Sequence, residues 1–358
     1  MDKERTYDGS RFCFHNRLLR GDRQPVAGRA MSALLLTRAD VAGLMTPADY
    51  LDAVETGFRL SKQGRAPAPP PLHLPGTDGG FHAKGAALWG ERRLVALKFN
   101  GNFPGNPQRH MPTIQGVVLL CDADNGRLLA IIDSIEITLR RTAAASALAA
   151  RHLARPDASV LAVCGCGDQA RAQAVALGAV LPIQRGFAWD IDTAKARGFA
   201  AEMTRVMGIP FVAVSELSAA TRAVAVIVTC TTARVPFLDL ADIAPGAFIA
   251  AIGADSPDKS EIAPSLMAKA KVVVDVLDQC LALGDLRHAV CAGVMTAEAV
   301  HADLGDIVLG VKPGRTHPDE IFLFDSTGTA IQDVASAAAI YDRATRAGVG
   351  TAFSFAAL

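Results

Sequence analysis

The sequence predicts an α/β chain in two parts: a central parallel sheet with helices on both faces, and an α+β part around it that is discontinuous in sequence. Three observations predict this. A glycine-rich turn joins a strand to a helix at residues 160–170; strands and helices then alternate as far as residue 276; and the segment ahead of residue 139 carries a different, hairpin-like pattern.

The turn comes first. Val160-Leu161-Ala162-Val163 is apolar and mostly β-favouring, and it runs into Gly165-x-Gly167-x-x-Ala170, with an alanine- and leucine-rich helical pattern behind it. The first glycine permits the turn, the second lets the backbone approach a pyrophosphate, and the small third position lets helix and strand touch. The helix N-terminus, with Asp168 and Gln169, then faces the phosphates. This is the dinucleotide-binding signature of a Rossmann-type unit, although glycines of ordinary loops also produce it.

An acidic residue follows at a suitable distance. Phe187-Ala188-Trp189-Asp190 closes the next apolar stretch. An acid at the tip of the second strand accepts from the ribose hydroxyls and favours NAD. Asp190 or Asp192 can equally cap the helix beginning near Thr193. Arg185 stands nearby as a receiver for a 2′-phosphate, which keeps NADP as the alternative cofactor.

The rhythm completes the case. A helix at 193–207, strands at 210–214, 223–229 and 247–252, a helix at 264–270 and a strand at 271–276 imply parallel βαβ units. Such sheets bind ligands beyond the carboxyl ends of their strands, where Thr229, Thr231 and Gly253-Ala254-Asp255 fall.

The outer part reads differently. Residues 38–61 are helical in pattern, and Thr46-Pro47 makes a helix start. The stretch 64–80 is rich in proline and glycine and reads as extended or looped. Strands are expected at 80–88, 93–100, 115–121 and 127–133, the last two joined by a turn at Asn125-Gly126. Residues 134–154 link the parts through an alanine-rich helix. A strand at 320–325 and a helix at 328–347 return to the outer part. The expected division is therefore 31–139 with 320–358 for the outer part and 140–319 for the dinucleotide part.

Composition narrows the function. The 358 residues carry 36 Lys plus Arg against 36 Asp plus Glu, so no excess charge argues for a nucleic acid or an anionic membrane as partner. Half the residues are hydrophobic and 6% aromatic, which predicts an aliphatic, alanine-rich core. Cys13, Cys121, Cys164, Cys166, Cys230, Cys280 and Cys291 form no CxxC pair or zinc-like spacing, and their odd number without a secretory signal fits a cytoplasmic protein. No metal is expected. No apolar run reaches the roughly 18 residues that a membrane span needs. Met1–Ala30 has seven basic and four acidic residues and no apolar stretch. It reads as a disordered tail, with the natural start expected at Met31.

Three cations draw attention in the outer part: Lys84 in Phe81-His-Ala-Lys84-Gly, Lys98 in Val95-Ala-Leu-Lys98-Phe, and Arg141 after Arg140. A lysine within an apolar strand needs a partner unless alternation turns it outwards. Together the three can surround a small carboxylate. His82 and His110, close by in sequence, read as hydrogen-bonding neighbours.

At this point the chain resembles the ornithine cyclodeaminase/mu-crystallin family over roughly residues 35–345. The resemblance rests on Lys98-Phe-Asn-Gly-Asn-Phe-Pro-Gly-Asn106, Ile137-Thr-Leu-Arg-Arg141-Thr-Ala-Ala, Gly165-Cys-Gly-Asp-Gln169-Ala, Ile252-Gly-Ala-Asp255-Ser-Pro-Asp-Lys259-Ser-Glu261 and Phe324-Asp325-Ser-Thr-Gly328. It implies a homodimer whose substrate-binding and dimerisation domain flanks the nucleotide domain. It also implies a carboxylate held by Lys98 and Arg141, Thr142 at the cofactor, and Asp255 serving the reacting amine. Asp255 ahead of Ser256-Pro257 reads equally as an Asx turn. One departure stands out: the family often carries an arginine before the first strand of the pair, and Ala66-Pro-Ala-Pro-Pro-Pro-Leu-His73 has none. Lys84 is the residue available to replace it.

The expected activity is an ornithine cyclodeaminase-like reaction, in which NAD⁺ takes a hydride transiently and L-ornithine gives L-proline and ammonia. The alternative is an NAD(P)H-dependent reductase of a cyclic imino acid such as Δ1-pyrroline-2-carboxylate. A third reading is a nucleotide-binding protein without catalysis.

Overall fold

The computed structural model describes residues 32–355. The expected tail, Met1–Ala30, lies outside them. Strand β1 (Ser32–Leu36) leads to helices α1 (Arg38–Leu44) and α2 (Pro47–Lys62). Thr46 caps α2 in a capping box with Asp49, and Pro47 takes the first helical position, where no backbone donor is needed. Strands β2 (Leu72–Pro75), β3 (Gly80–Trp89), β4 (Arg93–Asn102), β5 (Ile114–Asp122) and β6 (Leu128–Asp133) form an antiparallel run, and β1 joins it parallel to β6. Along β4 burial alternates residue by residue, which puts Leu94, Ala96, Lys98 and Asn100 on the inner face. Val95, Leu97 and Phe99 stand on the outer face, exposed.

Helix α3 (Ser134–Leu153) carries the chain into the second lobe, its N-cap Asp133 accepting from Ile135 and Glu136 N–H. There follow β7 (Val160–Cys164), α4 (Asp168–Gly178), β8 (Arg185–Trp189), α5 (Thr193–Met207), β9 (Phe211–Ala213), α6 (Leu217–Thr221), β10 (Val226–Thr229), β11 (Phe248–Ala251), α7 (Pro264–Lys269) and β12 (Lys271–Val274). Next come α8 (Leu277–Leu283), α9 (Asp285–Cys291), β13 (Ala302–Asp303), α10 (Leu304–Val308) and β14 (Phe322–Asp325). These strands make one all-parallel sheet in the order β13-β12-β14-β11-β10-β7-β8-β9. The order reverses between β7 and β10, which opens a crevice at the carboxyl ends of those strands.

The expected return of residues 320–325 to the outer part is corrected here. Strand β14 lies inside the parallel sheet, pairing β11 on one side and β12 on the other. Phe322-Leu-Phe-Asp is buried at all four positions, the pattern of an interior parallel strand covered on both faces. The chain returns only afterwards, through α11 (Ala330–Ala347) and β15 (Thr351–Ser354), which pairs antiparallel with β1. Strand β2, in the stretch read as extended or looped, is an edge strand, where proline is tolerated. Among the described residues no helix is long and apolar enough to cross a membrane.

Alanine determines how the lobes meet. Helices α3 and α11 bury Ala143, Ala144, Ala145, Ala147, Ala335 and Ala337, and these small side chains let neighbouring backbones approach closely. A Cβ on Gly57 of α2 would stand 3.2 Å from the Ala335 Cβ. At these contacts small side chains let the two helices lie close to their neighbours.

Candidate active site at the junction of the two lobes

Gly165 has φ +92°, and a Cβ there would lie 2.8 Å from Thr231 Cγ2 and 3.0 Å from the Cys230 carbonyl, so only glycine fits. Gly167 has nothing within 4 Å of its Cβ position and serves as an N-cap with no side-chain hydrogen bond. The first-turn N–H groups of α4 are thus left for a ligand. They open on a cleft of about 730 Å³ lined by Gly165, Cys166, Gly167, Asp190, Thr231 and Phe237, among others. Open space over Gly167 and an uncapped helix start fit a pyrophosphate.

Asp190 borders this cleft. Its Oδ2 accepts from Cys166 N–H at 2.8 Å and its Oδ1 from Asp192 N–H at 2.9 Å. The helix cap is Asp192, which accepts from Ala194 and Lys195 N–H. Arg185 is corrected as a receiver of a 2′-phosphate. It opens β8 at the opposite end from Trp189, about 13 Å away at the usual rise of a strand, and its guanidinium lies over the Phe187 ring.

Other expected cofactor residues divide. Thr231 lines the cleft, and its Oγ1 accepts from Ala233 N–H. Ala170 is fully buried at the helix–strand contact. Asp168 is exposed beside Arg171, and Gln169 donates to the Leu139 carbonyl on α3. Thr229 is fully buried and donates to Glu261, while Thr142 is buried in α3 and does not border the cleft. Glu261, absent from the expected set, ties the strand-end loops together by accepting from Thr229 Oγ1, Thr231 N–H and Gly253 N–H. Burial, and then the neighbouring Asp285, push its carboxyl up to about 7.

The three cations converge. Lys84 and Lys98 are directly opposite on β3 and β4 and face inwards. Arg141 reaches them from α3. All three meet Asp333 or its neighbourhood on α11: Lys98 Nζ lies 2.7 Å from Asp333 Oδ2, and Arg141 Nε donates to Asp333 Oδ1 at 2.9 Å. Arg141 Nη1 donates to Gln332 Oε1 at 2.6 Å, and Lys84 Nζ donates to the Gly328 carbonyl at 2.8 Å. Gly328 has φ +73°, and a Cβ there would stand 2.5 Å from Arg141 Nη1. The loop after β14 can pass the guanidinium only as glycine.

This charge is held out of water. Lys98 and Arg141 are 5% and 4% exposed, and Asp333 is 1% exposed. Burial first, and the adjacent Arg141 second, bring the Lys98 ammonium down to about 7, against the opposing pull of Asp333. Lys84 is lowered by burial and by Arg141. Asp333 is held below the usual carboxylate range by Arg141 and Lys98, which outweigh its own burial. A signal for Asp333 existed in the sequence: an acid within the apolar, alanine-rich run Ala330-Ile-Gln-Asp-Val-Ala must find a cation when that helix is buried.

Asp255, in the loop after β11, lies close enough to exert an electrostatic pull on Lys84 and His82. Its partner is Lys259, with Nζ 2.5 Å from Oδ1. The expected Asx turn is not the use made of this side chain.

The ornithine cyclodeaminase/mu-crystallin family model matches residues 31–348. An archaeal alanine dehydrogenase dimer with bound NAD superposes with a TM-score of 0.87 at 38% identity, over 91% of this chain and 100% of that one. The Thermococcus litoralis Δ1-pyrroline-2-carboxylate reductase in complex with NADH and L-proline gives 0.86 at 32% identity, over 89% and 99% of the two chains. The iminosuccinate reductase of Paracoccus denitrificans is 32% identical over 88% of this chain and 98% of that protein. Built on a parallel sheet with a glycine turn and a cation pocket at its edge, the chain belongs to the ornithine cyclodeaminase/mu-crystallin family.

Proposed function

We propose that the protein is an NAD-dependent oxidoreductase that interconverts a carboxylate-bearing imine and the corresponding α-amino acid. The observation that carries this reading is the buried group of Lys84, Lys98 and Arg141 around a single carboxylate, Asp333, beside the carboxyl ends of the parallel strands. Lys98 and Arg141 hold the α-carboxylate, because a planar guanidinium and an ammonium outnumber the one anion already present. Gly165, Gly167 and the start of α4 hold the dinucleotide, and Asp190 offers its remaining lone pairs to the ribose and disfavours a 2′-phosphate. The bound dinucleotide supplies or accepts the hydride.

Lys98, with an ammonium near 7, gives a proton to the imine nitrogen in reduction and takes it back in oxidation. The outer apolar face, with Leu72, Leu74, Val95, Leu97 and Phe99 exposed and Phe81 stacked on Phe99 at 5.3 Å, supports assembly as a homodimer.

Cyclodeamination of ornithine is the second reading, favoured by Asp255 near the pocket. It needs a free acid for the amine, and Asp255 carries Lys259 instead. The readings separate in one assay. Purified protein is given NADH with a 2-oxo acid and ammonium or with Δ1-pyrroline-2-carboxylate, and in parallel L-ornithine with a trace of NAD⁺. Stoichiometric NADH oxidation with an imine is expected. Proline and ammonia in excess of the NAD⁺ supplied would replace this reading with the cyclodeaminase one, and dinucleotide binding with neither activity would reject both.

A further inference from the structure

Behind the wall of the dinucleotide cleft runs a row of buried acids that the proposed reaction does not use. Glu261, in the loop between β11 and α7, is fully buried. Asp285 at the start of α9, Asp325 at the end of β14 and Asp275 just after β12 are at most 2% exposed. The backbone joins them in series. Asp285 Oδ1 accepts from Glu261 N–H at 2.8 Å and from Ile262 N–H at 3.1 Å. Asp325 accepts from Leu286 N–H at 2.9 Å and from Asp285 N–H at 3.3 Å, and its carbonyl accepts from Asp275 N–H at 3.1 Å.

The row lacks a counter-charge. Glu261 is faced by Asp285 from α9, by Cys164 at the end of β7 and by Cys230 after β10. Asp325 is faced by Asp285, by Asp275 and by Cys280 of α8. Among the described residues no cation pairs with any of the four acids, and those in the neighbourhood are engaged elsewhere. Lys259 pairs with Asp255, and Lys84, on which Asp275 acts, donates to the Gly328 carbonyl. On α9 itself Arg287 and His288 bond the carbonyls of Pro257 and Lys259.

One oxygen is also left bare. Asp285 Oδ2 is closed off from solvent and has no hydrogen-bond partner among the described residues. An ionised carboxylate in that state is costly, and a second buried carboxylate beside it raises the cost. Burial, and then Asp285, push Glu261 up to about 7, and burial pushes Asp285 up to about 6. Near neutral pH the two hold a proton that belongs to the pair rather than to either residue.

The pair reaches the cleft through a single residue. Glu261 Oε1 accepts from Thr231 N–H at 2.6 Å, and Thr231 lines the cleft against Gly165. The phosphate charges of a dinucleotide at the start of α4 oppose another negative charge just behind that wall, where water screens poorly. We propose that Glu261 and Asp285 form a proton-holding pair behind the dinucleotide cleft, and that the dinucleotide binds the protonated pair in preference, so that binding takes up a proton from the medium and weakens as pH rises. This needs the dinucleotide site alone and goes beyond the oxidoreductase reading.

The test follows NADH affinity of the full-length protein by fluorescence titration from about pH 5.5 to about pH 8.5, with calorimetry near neutral pH in phosphate and in Tris, whose ionisation enthalpies differ. In the wild type Kd is expected to be flat at the acid end and to rise about tenfold towards the alkaline end, the equivalent of a displacement of about one unit in the pair's pKa. The two buffers are expected to report net proton uptake. Asp285→Asn keeps Oδ1 as an acceptor, puts its amide where the bare oxygen was and removes one acid, so the transition is expected about one pH unit lower. Glu261→Gln is expected to abolish the transition and to lower affinity at every pH, because its amide must face the N–H of Thr231 or of Gly253. Lys98, brought down to about 7, is the competing source of a transition. A transition that stays in place in Asp285→Asn assigns it to Lys98 and overturns the proposal, and so does a pH-independent Kd or proton release in the wild type. If Glu261→Gln fails to fold, the Asp285→Asn shift and the buffer dependence of the wild type decide. NADH binding that ignores pH leaves the oxidoreductase reading standing, whereas no NADH binding at any pH removes both.

Discussion

Around the glycine turn the chain offers mostly neutral groups, backbone N–H and hydroxyls, with Asp190, Arg171 and Lys195 as the charged residues of the cleft, and the strand-end groups come from three strands adjacent in the sheet. At the lobe junction, cations from β3, β4 and α3 gather about one acid supplied by α11, 192 positions beyond Arg141 and further still beyond Lys84 and Lys98. The first site depends on local backbone shape. The second depends on electrostatic compensation between distant segments. A change of shape should therefore damage the first, and a change of charge the second.

The largest expected effect follows from removing the shared acid. Asp333→Asn leaves Arg141 and Lys98 buried without their counter-charge and should cost about 3 kcal/mol of stability, read as a lower denaturant midpoint at constant slope. It should also drive the Lys98 ammonium further down, since Asp333 is the group that holds it up. An unchanged midpoint would mean that the cations find other compensation.

A smaller effect separates the two glycines of the turn. Gly165→Ala forces a Cβ onto a backbone with φ +92° and into Thr231, which should cost about 1–3 kcal/mol and weaken NADH binding in a fluorescence titration. Gly167→Ala meets nothing within 4 Å, so its melting temperature should match the wild type. Any loss of NADH affinity in that variant then reports close approach by the ligand alone. Equal melting temperatures for both variants would contradict the geometric difference drawn between them.

The mildest effect is one of pH. Lys98 is lowered to about 7, so the protonated form is present below that value and lost above it. Reductive kcat/KM should fall about tenfold per pH unit above roughly 7, and the oxidative direction should rise with pH up to the same point and then level. A reductive profile that stays flat between pH 6 and 9 would exclude Lys98 as the proton donor.

Much of the fold was legible because its signals are local. The capped start at Thr46-Pro47, the helix at 193–207, the strands of the hairpin run and the turn at Gly165 each depend on residues within a few positions of one another. Strand β14 was assigned to the wrong part because an apolar run shows that a strand is buried without showing which sheet receives it. Helices α8, α9 and α10 are short and carry weak periodicity, and they were not anticipated. Lys98 and Arg141 were read through a motif resemblance, whereas Asp333, Glu261 and Asp285 were missed. Each of these three gains its meaning from a partner, or the lack of one, that only packing brings about.

By itself the sequence determined the parallel βαβ series, the glycine turn, the alanine-rich helices and the cation-bearing strands, because propensity, turn chemistry and periodicity act over short stretches of chain. Tertiary structure alone decided that Lys84, Lys98, Arg141 and Asp333 meet, that Asp255 spends its charge on Lys259, and that Glu261 and Asp285 are buried together. Coulombic and desolvation energies depend on distance and burial in space, and neither is written in the order of residues.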